Sequence, residues 1–196
     1  NPTGAVYPDQ ELQALAKVCR EEEVIVISDE IYSLIDFRKE KFSSIARYLP
    51  ESTVVTGGMS KAFSAGGWRL GLAFVPDAMS DMIKPWNALI SETFSCVNAP
   101  VQYAALEAFS QFEALRPQIQ RFTEIHSVAG SYLFKRFMQM DLNCPEPEGA
   151  FYLFPDFQNH QEILKKRGIT KCHELVDDLL NARQVAMLPG TDFYMK

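Results

Sequence analysis

The sequence lacks any apolar run near the roughly 20 residues that a helix needs to cross a bilayer. Its most apolar stretches, Val24 to Ile27 and Leu70 to Val75, are strand-sized, so no membrane span is expected. The first residues also lack the basic-then-apolar order of a secretion signal. Positive charge is in deficit, with 19 Lys and Arg against 25 Asp and Glu and a net charge of -6. Such a balance offers no basic face to a phosphate backbone, so nucleic acid is not expected as a partner. A single small anion needs only a few local donors and stays compatible with it. Cysteine is scarce and scattered: Cys19, Cys96, Cys144 and Cys172 form no CxxC pair. The histidines His126, His160 and His173 stand at no metal-ligand spacing with them. Reduced thiols, a cytoplasmic setting and no metal are the expectations.

Apart from these absences, the chain is ordinary globular material. It has 196 residues, 47% hydrophobic and 22% charged, enough for one core or for a large and a small domain. Pro8 suits a first helical position, and Asp9 and Glu11 favour the positive end of the helix dipole. Leu12, Leu15, Ala16 and Cys19 then keep helical spacing to about Glu22. Val24 to Ser28 reads as a strand buried on both faces, with further strands at Thr53 to Thr56 and Leu70 to Val75. Helices are predicted over Asp77 to Ile90, after Asn98 and Pro100, and from Glu113 to about Met140 with Pro117 in the first turn. Beyond the turn-rich Cys144 to Gly149, strands are predicted at Ala150 to Phe154 and Gln184 to Met187, and a helix at Lys171 to Ala182. The alternation gives an α/β fold, part of a mostly parallel sheet flanked by helices, with part of a small α/β domain after it. The boundary is placed inside the long helix, giving domains 1–125 and 126–196. Asn1-Pro2-Thr3-Gly4 is a turn sequence, and both ends read as cut.

Three stretches carry chemistry: Asn1-Pro2-Thr3-Gly4, Ser28-Asp29-Glu30-Ile31-Tyr32, and Gly57 through Gly71, which contains Ser60-Lys61 and Trp68-Arg69. Each has a plainer reading, as a turn, a cap, or a solvated lysine beside a loose glycine cluster. Together they suit one task. Asp29 and Tyr32 follow the C-terminal end of a strand, the edge where α/β sheets bind ligands. Lys61 and Arg69 flank a glycine-rich loop through which a backbone can approach a ligand closely, and an arginine fork suits a phosphate. A desolvated lysine amine attacks aldehydes, and a carboxylate suits a cationic ring nitrogen. Pyridoxal phosphate combines aldehyde, phosphate and pyridinium. Trp68, Phe63 and Trp86 read as core or interface packing residues, and His126 as an ordinary helix-face residue.

These segments resemble the signature set of the class I/II aminotransferases, the fold type I pyridoxal-phosphate enzymes. The resemblance runs along essentially the whole chain, including Gly149-Ala150-Phe151-Tyr152-Leu153-Phe154 and Leu188-Pro189-Gly190. It implies that 1–125 is the second half of the cofactor-binding large domain and 126–196 a partial small domain. It implies that Lys61 forms the Schiff base with pyridoxal 5'-phosphate and later shuttles the substrate proton. It further implies that Asp29 pairs with the ring nitrogen, Tyr32 and Asn1 bond the ring 3-oxygen, and Arg69 clamps the phosphate with Ser60 beside it. The substrates implied are an α-amino acid and a 2-oxo acid, handled in ping-pong fashion by a homodimer. Elimination by a C–S lyase would use the same Asp29, Tyr32 and Lys61, and some transcriptional regulators carry such a domain to sense the cofactor.

Two departures stand out. Many relatives place a serine three residues before the lysine as a phosphate ligand, and here that position is Gly58; after Asp192-Phe193 the usual glycine is replaced by Tyr194-Met195. The family's N-terminal phosphate loop, the aromatic residue that stacks on the ring and the late substrate-gripping arginine have no counterpart in these residues. The chain alone is therefore expected to show little or no transaminase turnover. Robust turnover by a homogeneous 196-residue preparation, measured as oxo-acid formation, would contradict this.

Overall fold

The computed structural model describes residues 2–40 and 42–193. The chain forms two compact units. One comprises Ala5–Ala129 with Glu148–Phe151, and the other comprises Gly130–Pro147 with the flanking residues 2–4 and 152–193.

In the first unit, α1 spans Asp9–Glu21 behind Pro8, with Asp9 and Glu11 in its first turn as the dipole favours. Its apolar stripe of Leu12, Ala16 and Cys19 packs on Ile45 and Leu49, with Val26 and Tyr48 at the margin. The sheet has three strands in the order β1 (Val26–Asp29), β2 (Thr53–Gly58) and β3 (Gly71–Phe74). β1 and β2 are parallel, pairing Val26 with Thr53 through to Asp29 with Thr56. β3 runs antiparallel to β2, pairing Val55 with Phe74 through to Gly58 with Gly71. The sheet is thus mixed, one pairing of each kind. The expectation that the first strand is buried on both faces fails. Its exposure alternates, and Ile27 is 69% exposed, because the α1 cluster packs against Val26 and hence one face only.

Helices follow the sheet. Asp77–Met82 is a 3-10 turn kinked at Met79, and α2 begins at Ile83 and ends at Thr93. Pro85 explains the late start: in the first turn its missing N–H costs no ladder bond, whereas deeper in a helix it would. α3 spans Ala99–Ser110 after Asn98, as the Asn98 and Pro100 signals predict. α4 spans Phe112–Gln139. It opens on the Gln111 carbonyl, which accepts from the N–H groups of Ala114 and Leu115. That earlier start puts Pro117 in the second turn instead of the first. Met59, Ala65 and Leu70 from the β2–β3 connection pack on Ala105 and Ala108 of α3. Ile35, Ala62 and Ile119 form an adjoining cluster, and Phe63 borders both. Trp68, read from sequence as core or interface packing, is 51% exposed and outside these clusters, so it is not a core residue.

The second unit holds α5 (Gln161–Lys166) and α6 (Cys172–Arg183). No sequence signal announces α5, because six residues are too few to show a period. Glu174 braces the start of α6, its carboxylate accepting from the N–H of Thr170 at 2.7 Å and of Lys171 at 2.9 Å. Those bonds hold its carboxyl below the usual range. The strand expected at Gln184 to Met187 is absent. Gln184 closes α6 at φ 58, in the left-handed region, and no described strand pairs with the residues after it. The strand expected at Ala150 to Phe154 is also absent. Ala150 stands at φ 59, and Gly149 makes only an isolated bridge to Asp36 within the first unit. Among the described residues no helix is long and apolar enough to cross a membrane.

Two substitutions test this packing. Leu49 is 1% exposed, and Leu49→Ala is expected to cost about 2–5 kcal/mol in urea unfolding. At Gly58, which has φ 153, an added Cβ would lie 2.6 Å from the Leu70 carbonyl oxygen. Gly58→Ser, which supplies the hydroxyl found in many relatives, is therefore expected to lower stability by about 1–3 kcal/mol, read as a drop in melting temperature. A stability equal to wild type would show that the β2–β3 pairing yields readily there.

Candidate active site

Because β1 and β2 are parallel, their C-terminal ends, Asp29 and Gly58, open on the same edge of the sheet. The two acids at the end of β1 divide their roles by direction. Glu30 is half-buried and accepts from the hydroxyls of Ser28, at 3.1 Å, and Ser44. Asp29 is exposed, and its Oδ1 accepts from Ile31 N–H at 3.3 Å and, more weakly, from the Thr56 hydroxyl at 3.4 Å. Among the described residues no hydrogen bond ends on its Oδ2.

Lys61 lies three residues past β2, in a turn closed by Ser64 N–H on the Lys61 carbonyl at 2.9 Å and Ala65 N–H on the Met59 carbonyl at 3.2 Å. Met59 and Ala62 are buried at 3% and 5% exposure. They pin the turn from below, and Ser60 and Lys61 stay half-buried. The Lys61 Nζ sits 5.3 Å from the Tyr32 ring centroid and 5.4 Å from that of Phe151. The two rings meet edge-on at 5.2 Å, and the His126 ring lies 5.3 Å from Phe151. The loop continues through a 3-10 turn at Gly66–Trp68 to Arg69, which is left-handed at φ 57. Its Nη1 donates to the Gly66 carbonyl at 2.9 Å, and the side chain is exposed. A Cβ added at Gly57 or Gly67 would meet nothing within 4 Å.

Of the residues singled out from sequence, Lys61 and Tyr32 are in direct proximity. Asp29 shares their edge of the sheet and touches β2 through Thr56, and Arg69 engages its own loop. Asn1 lies outside the described residues. Phe151 and His126 are neighbours of the lysine site that sequence reasoning misses. The glycine-led Gly149-Ala150-Phe151 stretch is the available signal, but nothing in it says which residue its ring meets.

This set fits pyridoxal phosphate. The Asp29 Oδ2 suits a cationic ring nitrogen. The open backbone at Gly57 and Gly67 and the exposed guanidinium of Arg69 suit a phosphate, and an accessible amine on a braced turn suits an aldehyde.

Known proteins agree with this reading. The family model "Aminotransferase class I and II" matches residues 1–196. The chain is 34% identical to an aspartate aminotransferase of Bacillus subtilis and 35% identical to one of Geobacillus stearothermophilus, each over 98% of this chain and 48% of that protein. The chain thus spans about half the length of the curated relatives it matches. Among solved structures, a Thermus thermophilus aspartate aminotransferase mutant is similar at TM-score 0.86 and 33% identity, over 99% of this chain and 50% of that one. An aromatic aminotransferase from Pyrococcus horikoshii is similar at TM-score 0.84 and 29% identity, over 100% and 50%. The lysine loop, the sheet edge and these likenesses agree along the full length: the chain belongs to the class I and II aminotransferases, a pyridoxal-phosphate-dependent family.

Proposed function

We propose that the protein carrying this chain transfers an amino group between an α-amino acid and a 2-oxo acid, with Lys61 as the residue that holds the cofactor. The observation that carries the reading is the Lys61 amine, set on a turn pinned by Met59 and Ala62 at the sheet edge that Asp29 shares. When bound, pyridoxal phosphate supplies an aldehyde that takes up the amino group and a ring that withdraws electrons from the substrate carbon.

The residues have separable tasks. Lys61 Nζ is the nucleophile that anchors the cofactor and, once free, the base and acid that moves the substrate's α-proton. Asp29 receives the proton-bearing ring nitrogen, leaving Glu30 to its serine contacts. Tyr32, beside the lysine, serves the ring 3-oxygen, together with Asn1. Arg69, Ser60 and the open backbone of the glycine loop hold the phosphate. The division into 1–125, the second half of the large domain, and 126–196, part of the small one, belongs to the same reading. The compact units differ from it by placing 126–129 and Glu148–Phe151 with the former and residues 2–4 with the latter.

The named relatives are aminotransferases, which favours transfer over elimination and over a cofactor-sensing regulator. The substrates in their names range from aspartate to N-acetyl-LL-diaminopimelate, so the proposal stays at the level of α-amino acids. A cytoplasmic homodimer is part of the same reading.

Adding pyridoxal phosphate to the full-length protein is expected to produce a visible absorption band. Borohydride should fix the cofactor covalently, and peptide mapping should place it on Lys61. Lys61→Ala should abolish both. A band that persists in that variant, or an adduct mapped to another lysine, would remove the basis of the proposal.

A further inference from the structure

We propose that Phe151 is a positioning residue for Lys61, holding its amine at the sheet edge from a braced turn far along the chain. The inference rests on the aminotransferase reading of Lys61 and goes beyond it, because that reading gives Phe151 no role in the reaction.

The brace is built from backbone. Phe37 N–H donates to the Glu148 carbonyl and Ala150 N–H to the Ile35 carbonyl, both at 2.8 Å, around the Asp36–Gly149 bridge. Only glycine fits in the middle, since a Cβ at 149 would lie 2.7 Å from the Ile35 carbonyl oxygen. Ala150 turns the chain at φ 59. On the facing segment Arg38 grips Asp36 through two nitrogens, at 3.0 and 2.8 Å, with both side chains largely buried. Glu148 in turn accepts from the N–H of Val6 at 3.1 Å. Three residues of chain are thus fixed at both ends, and the next side chain out is the Phe151 ring.

That ring completes a layered group. Its centroid is 5.4 Å from Lys61 Nζ, its neighbour Tyr32 stands edge-on at 5.2 Å, and His126 of α4 lies 5.3 Å away. A lysine has four rotatable bonds, and the rings of Tyr32 and Phe151 both stand near its nitrogen. The two rings take up space beside the nitrogen and so limit the rotamers open to it, and an aromatic face also attracts a lysine in its charged form. The benefit is orientation of the amine for attack, which is where small displacements are costly in rate. Phe151 is 42% exposed, so bulk burial is a small part of what the ring contributes.

The experiment uses the full-length protein stripped of cofactor. Pyridoxal phosphate is added by stopped flow, and three quantities are read: the rate at which the visible band forms, its circular dichroism, and the melting temperature before addition. Phe151→Leu, which keeps apolar bulk without a ring, is expected to form the band roughly tenfold more slowly and with weaker dichroism. Its melting temperature should stay near wild type, and Phe151→Tyr should restore both signals. If Phe151→Leu loses its melting transition, Phe151→Met asks the same question. Band formation and dichroism equal to wild type in the ringless variants would overturn the inference while leaving Lys61 in place. A band that survives Lys61→Ala would instead overturn the reading beneath it.

Discussion

The parallel pairing of β1 with β2 is the constraint on which the rest depends. It sets Asp29 opposite Thr56, so the acid and the turn that carries Lys61 leave the sheet on one edge. Side chains alternate faces along a strand, and a slip of one residue would exchange the surroundings of Asp29 and Glu30. In the observed register, Glu30 is occupied by Ser28 and Ser44, and no hydrogen bond among the described residues ends on Asp29 Oδ2. Two adjacent carboxylates of similar chemistry thus have different surroundings because register points them apart. The pairing is fixed from outside the ladder as well. Val26 packs on the α1 cluster, and the buried Thr53 hydroxyl donates to the Leu49 carbonyl at 2.6 Å.

The connection from β2 to β3 translates that register into the placement of an amine. It returns antiparallel, so Gly58 and Gly71 face each other across the ladder. At position 58 the backbone of Leu70 comes so close that a side chain would force the pairing to shift. Further along, Met59, Ala65 and Leu70 sink against Ala105 and Ala108 of α3, whose small side chains allow the approach. With Met59 and Ala62 buried, the half-buried Lys61 carries its amine beside the Tyr32 and Phe151 rings. The loop accepts two left-handed non-glycine residues, Ser64 at φ 54 and Arg69 at φ 57, to achieve this. Conformations of that kind are costly and persist where surrounding packing over-determines them. A serine at position 58 would therefore require the β2–β3 backbone to shift away from the close contact with Leu70.

Legibility in the sequence followed how local the cause was. α1 was readable because its proline, first-turn acids and apolar spacing all lie inside the helix or beside it. α3 was announced by Asn98 and Pro100, and the strand at Thr53 by its β-branched run. The direction of β3 was not readable, since orientation depends on a glycine-rich return whose path is settled by packing on α3. The same limit explains the false strands. Ala150 to Phe154 is an apolar, aromatic-rich run of strand length, yet its first residue is tied with Glu148 to the 35–37 backbone, and Ala150 stands outside the extended region. At the site, the motif named Lys61, Asp29, Tyr32 and Arg69 without saying that two aromatic rings flank the amine.

Phe151 shows why that flanking pair could not be read. Lys61 and Phe151 are separated by the whole of α2, α3 and α4, and the chain between them leaves the first compact unit before Glu148–Phe151 returns to it. No local period links them. The ring is brought back by a pair of 2.8 Å backbone bonds around a position where only glycine fits. These bonds add little net stability individually, about 1 kcal/mol each, but they leave the short segment few alternative paths. Burial alone would not have the same result, because an exposed ring can slide on an apolar surface at small cost. Directional backbone bonds cannot slide without breaking, and they therefore determine where the Phe151 ring stands relative to the amine.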